Sequence, residues 1–109
     1  MTHTCHAINC TNTVPPKLLM CRSHWRKVPK ALQKAIWSTY VTGQEARKDP
    51  TALYLMVQNV TVGVVAVTEG VWSEDNFRDH IKQGWDRWHG LLTDEQQAYF
   101  RHLMESWKP

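Results

Sequence analysis

The stretch Cys5-His6-Ala7-Ile8-Asn9-Cys10-Thr11-Asn12-Thr13-Val14-Pro15-Pro16-Lys17-Leu18-Leu19-Met20-Cys21-Arg22-Ser23-His24-Trp25 contains every cysteine of the chain. Its spacing, C-x4-C-x10-C-x2-H, sets two close ligand pairs on either side of a turn-rich loop. That is the pattern of a closed tetrahedral zinc site with three thiolates and one imidazole. Each pair forms a knuckle aimed at one ion, and Pro15-Pro16 stiffens the return between them. His3 and His6 are replacement candidates. His6 follows Cys5 directly, where joint ligation is awkward, so His24 is the expected fourth ligand. Four protein ligands leave no position for water or substrate, and the site reads as structural. Residues 1–24 hold too little apolar material to order themselves, so the metal is expected to supply on the order of 10 kcal/mol of their folding energy.

Beyond this arm the periodicity becomes helical. Val28, Leu32, Ala35, Ile36 and Tyr40 form an apolar stripe over about Pro29–Tyr40, with Gly43 as the stop. Asp49-Pro50 predicts the cap and first position of a second helix over 50–68. That segment is rich in valine and carries Gly63, so a β-hairpin within it is the alternative. Ser73 caps a third helix, with Trp72 placed to staple against Phe77, and Phe77, Ile81, Trp85 and Trp88 line one face up to Gly90. Thr93-Asp94-Glu95-Gln96 is a capping box opening a fourth helix, whose apolar residues are Tyr99, Phe100, Leu103, Met104 and Trp107. The expected fold is mainly α: an N-terminal zinc knuckle (1–25), a basic helix and a buried valine-rich helix (26–69), and a Trp-rich helical pair (70–109), all in one domain.

At 109 residues, 42% hydrophobic and 21% charged, the chain has the composition of a globular domain and not of a disordered or collagen-like one. The charge is unevenly placed. Residues 1–44 carry Lys17, Arg22, Arg26, Lys27, Lys30 and Lys34 and no acid, while the ten acids all follow. Such polarity predicts a face turned to an anionic partner. An odd cysteine count and the lack of a secretory leader predict a reducing cytoplasm, where the triplets Asn9-Cys10-Thr11 and Asn59-Val60-Thr61 carry no glycan meaning. No stretch is apolar enough for a membrane span, and no membrane partner is expected.

The basic residues, with Trp37 and Trp25 among them, are candidates for nucleic acid or a nucleoprotein: cations neutralise phosphates and indoles stack on unpaired bases. Trp25, next to His24, is expected to cover the zinc site instead. Trp85, Trp88 and Trp107 are read as core against the valine-rich helix or, where exposed, as anchors for a host protein. His80, His89 and His102 lie near Asp79, Asp86 and Glu105 in sequence, but lone helical histidines are weak evidence for proton transfer. With no HExxH, phosphate-binding glycine loop or nucleophile elbow, no enzyme is expected.

Cys5-x4-Cys10, Val14-Pro15-Pro16, Leu19-Met20-Cys21, His24-Trp25, Val28-Pro29, Ile36-Trp37, Tyr40 and Gly43-Gln44-Glu45 resemble a family of small zinc-binding proteins of phages, prophages and their bacterial hosts. The resemblance covers roughly residues 5–67 and carries the metal-ligand role onto Cys5, Cys10, Cys21 and His24. It implies a phage accessory protein that engages host machinery, without a transferable activity.

Overall fold

The computed structural model describes residues 2–41, 43–47 and 50–106. Strands β1 (His3–Thr4) and β2 (Thr13–Val14) pair antiparallel, His3 opposite Val14 and Thr4 opposite Thr13. Helix α1 (Arg22–Trp25) is one turn long, and Pro29 separates it from α2 (Lys30–Thr39). The short α3 (Gln44–Arg47) precedes α4 (Ala52–Thr68), then α5 (Glu74–Trp88), a 3-10 turn (His89–Leu91) and α6 (Asp94–Ser106). Among the described residues four helices reach ten residues or more, so the expected knuckle-plus-helices architecture is present.

The valine-rich segment is one continuous helix and not a hairpin. Valine lowers helix propensity by only tenths of a kcal/mol per residue, which tertiary burial readily overrides. Here burial is nearly all round: Met56, Val57, Val60, Thr61 and Val65 are within 2% of full enclosure. The Thr61 hydroxyl is satisfied by donating to Val57 O at 2.8 Å. Helix α4 is thus the axis on which α2, α5 and α6 pack.

Several expected boundaries move. The N-cap of α4 is Thr51, whose hydroxyl accepts from Tyr54 N–H at 3.1 Å, so Pro50 precedes the cap. The expected cap Asp49 lies outside the described residues. Helix α2 ends at Thr39, before Gly43, because Tyr40 turns extended; Gly43, at φ +83°, instead leads into α3. Helix α5 stops at Trp88, with Gly90 inside the following 3-10 turn. Ser73 caps α5 as expected, and Asn76 completes the box. Trp72 sets its ring edge-to-face on His80, 4.7 Å between centroids, roughly one turn past Phe77.

Helices α4 and α5 approach closely where both lack a side chain. A Cβ at Gly84 would lie 2.5 Å from Asn59 Nδ2, and one at Gly63 would lie 3.0 Å from Phe77 Cδ1. Across this contact Asn59 Nδ2–H donates to His80 O, and His80 Nε2–H donates to Asn59 O at 3.0 Å.

Candidate metal centre

The hairpin and α1 assemble the four ligands. Cys5 N–H donates to Asn12 O at 2.8 Å, extending the β1–β2 ladder. Asn9 takes a left-handed φ of +67°, which asparagine tolerates, and Cys10 N–H closes on Ala7 O at 3.1 Å. The second pair comes alongside through His6 N–H to Leu19 O. Cys21 is the N-cap of α1, so His24, three residues on, faces the same side.

One ligand atom from each of Cys5, Cys10, Cys21 and His24 lies within 4.8 Å of the others. His24 Nδ1 is 3.1 Å from Cys21 Sγ and 3.7 Å from Cys5 Sγ. Metal bonds of about 2.3 Å to sulfur and 2.0–2.1 Å to nitrogen give tetrahedral edges of roughly 3.4–3.8 Å. The four groups therefore fit a metal ion. His3 and His6 stand apart: their rings meet edge-to-face at 5.1 Å, and His6 Nδ1 accepts from Gln58 of α4.

The thiols are prepared unequally. Burial pushes Cys5 up to about 11, although the N–H groups of Cys21 and Ala7 act in the opposite sense. A donated hydrogen bond from Ser23, helped by Asn12 and His24, brings Cys21 down to about 5 against the cost of its burial. The surroundings thus favour the thiolate at Cys21 and the thiol at Cys5.

The sequence reading missed Glu69. Its two carboxylate oxygens lie 3.0 and 3.1 Å from His24 Nε2, on the ring edge opposite the sulfurs, and Lys27 Nζ donates to it at 2.9 Å. Lys27, foremost, and His24 hold the Glu69 carboxyl below its usual range despite partial burial. Glu69 is the C-cap of α4, fixed by a Schellman motif: Gly70, at φ +73°, donates to Val67 O, and Val71 N–H donates to Ala66 O. The Glu69-Gly70 pair does mark a helix end in the sequence. Nothing local, however, marks its pairing with a residue 45 positions earlier.

Comparison with protein-family models, curated proteins and solved structures finds no match in any of the three.

Lys17, Arg22, Arg26, Lys27, Lys30 and Lys34 are all exposed, and Lys27 is in addition ion-paired with Glu69. On α2, Lys30, Lys34 and Trp37 stand at i, i+4 and i+7, opposite the buried Leu32, Ala35 and Ile36. Trp37 is 44% exposed and is held edge-to-face by Tyr40. A cavity of about 200 Å³ opens between the knuckle and α2, walled by Leu18, Met20, Trp25, Ile36 and Trp37 and with Arg22 at its lining. Trp25 is half-buried against the core and lines this cavity.

In the C-terminal half, Trp85 and Trp88 are half-buried and packed on the core. Trp85 stacks between His89 and Phe100, with Arg101 over its face; Arg87 lies over Trp88. Trp107 lies outside the described residues. Of the histidines weighed for proton transfer, His80 is bonded to Asn59 O and His89 donates Nδ1–H to Trp85 O, while His102 is exposed. No described helix is long and apolar enough to cross a membrane.

Proposed function

We propose that the chain is a non-catalytic, zinc-stapled accessory binding protein of the phage type, acting in the cytoplasm, whose basic N-terminal half docks on nucleic acid or a nucleoprotein. Three thiolates and an imidazole are a donor set suited to zinc. When bound at Cys5, Cys10, Cys21 and His24, the ion supplies rigidity and no open coordination position.

The observation that supports the reading is the exposed face of α2, on which Lys30, Lys34 and Trp37 form one stripe beside the Arg22–Trp25 notch, within a run of 44 residues that contains no acid. Cations track a phosphate backbone, and an indole at the edge of an apolar notch offers a stacking surface that only an unpaired base can use. A single strand is therefore the preferred ligand.

Titration of fluorescent single-stranded and duplex oligonucleotides at two salt concentrations tests this. Lys30→Glu/Lys34→Glu is expected to weaken both and flatten the salt dependence. Trp37→Ala should cost about 1–3 kcal/mol on the single strand alone. No binding at low salt removes the reading.

A second reading draws on the open groove of about 510 Å³ between α5 and α6, lined by Phe77, Ile81, Trp85, Phe100 and Met104. There the chain would cap a host protein, such as defence or transcription machinery. That contact would survive nuclease and the two lysine changes and be lost with Trp85→Ala.

A further inference from the structure

We propose that Glu69 is a positioning residue: by holding His24 Nε2 it turns Nδ1 toward the cysteines and ties metal binding to the end of the central helix α4. The proposal rests on the reading of Cys5, Cys10, Cys21 and His24 as a metal site.

A neutral imidazole has one N–H and one lone pair, and only the lone pair can ligate. An ionised carboxylate accepts and cannot donate. A metal-bound imidazole would carry its proton on Nε2, where Glu69 oxygens at 3.0 and 3.1 Å accept it, and would turn the Nδ1 lone pair to the side of Cys5 and Cys21. Partners of this kind fix the tautomer and ring orientation of metal-bound histidines and make the ligand more basic.

The location of the carboxylate supports a role outside α4. A helix C-terminus carries partial negative charge, so an acid there is unfavourable for the helix itself. Glu69 is nonetheless held at the C-cap by the Gly70 Schellman motif, and its side chain is paired with His24 and Lys27, on the knuckle side of the molecule. Helix α1, which carries His24, is four residues long and has no side-chain cap. It is too short to fix a ring by itself. Helix α4 is seventeen residues long with ten of them buried, and through Glu69 it lends that rigidity to the ligand.

The coupling runs both ways. An ion that locks His24 also locks Glu69, so loading the knuckle should tighten the Schellman turn 66–72 at the far end of the carboxylate. The Lys27 side chain shares Glu69 and bonds no ligand atom, while its backbone N–H donates to His24 O at 2.9 Å and is kept in an alanine variant, which makes Lys27→Ala the control.

Cobalt(II) titration of the full chain, read by its tetrahedral thiolate absorption, separates the roles. Glu69→Ala is expected to weaken cobalt binding about 10- to 100-fold. Glu69→Gln should weaken it less, because the amide oxygen still accepts from Nε2–H. Lys27→Ala should leave it near wild type. Hydrogen exchange at Gly70 and Val71 should slow on metal addition in the wild type and in Lys27→Ala but not in Glu69→Ala. If Glu69→Ala does not fold, Glu69→Gln set against Lys27→Ala carries the same contrast. Wild-type affinity in both Glu69 variants, or an equal loss in Lys27→Ala, overturns the proposal while leaving the metal site standing. A wild-type chain that binds no cobalt overturns the metal reading and the proposal with it.

Discussion

Among the described residues, the arm up to Met20 buries only Cys5, Ala7, Val14, Leu19 and Met20, scattered side chains of which Val14 alone lies in one of its two-residue strands. Helix α4 alone buries ten of its seventeen residues, in unbroken contact with α2, α5 and α6. Burial at about 25 cal/mol per Å² can hold the second region and has little to act on in the first. What the first region has instead is a set of sulfurs and N–H groups already converging: Cys21 N–H donates to Cys5 Sγ at 3.2 Å, and Asn12 Nδ2–H points at Cys21 Sγ at 3.6 Å. The comparison sets burial, which orders α4, beside the ion that the proposed metal site would supply to the arm, with Glu69 at the seam.

Removing the metal is expected to break this comparison most visibly. A strong chelator should abolish exchange protection at the amides of Cys5, His6 and Cys10, whose acceptors are Asn12 O, Leu19 O and Ala7 O. The ordering energy lost is on the order of 10 kcal/mol. Amides of Val60–Val65 should keep their protection, so the helical circular dichroism should fall only slightly. Protection at Cys5 and His6 that survives chelation would mean that packing, not an ion, holds the arm.

A smaller effect is expected on the other side of the seam. Gly84→Ala places a methyl 2.5 Å from Asn59 Nδ2 and 3.3 Å from Trp88 Cζ3, so the Asn59–His80 exchange must open or the helices must part. Overpacking costs about 1–3 kcal/mol, offset by up to about 1 kcal/mol of better helix propensity. Urea melts should show a net loss, with cobalt affinity unchanged. A variant as stable as the wild type would show that the glycine is not what sets the α4–α5 distance.

What could be read in the sequence follows the same division. That Cys5, Cys10, Cys21 and His24 come together was legible because chelation by a short segment imposes a spacing, and C-x4-C-x10-C-x2-H is that spacing. The cap at Ser73 and the stripes of α2 and α5 were legible because they are local, periodic features. Helix over hairpin for α4 was a weaker inference, since valine favours strands and only the all-round burial decides it. Non-local features were not legible: the Glu69–His24 pair spans 45 positions, and the Asn59–His80 pair depends on how two helices face each other at Gly63 and Gly84. The acid-free run was visible as charge, but not that Lys27 would be drawn into an ion pair with Glu69.

The finest test of the comparison is acid, because both halves respond to protons through different groups. In the knuckle, falling pH re-protonates thiolates and releases metal. In the helical half the relevant group is His80, whose pKa burial lowers below the usual 6.5, although the hydrogen bond to Asn59 O pulls the other way. Between that lowered value and about 6.5 the folded chain binds fewer protons than the unfolded one, so stability rises with pH through this window and is lost on acidification. Below it both states are protonated and the loss stops growing. His80→Gln keeps a donor for Asn59 O and removes the titration. Thermal melts of the two proteins should therefore converge as pH falls from 7 toward 5, the wild type losing more, while the metal-linked loss is common to both. Parallel curves would mean that His80 titrates alike in the folded and unfolded chain, so that burial does not lower it.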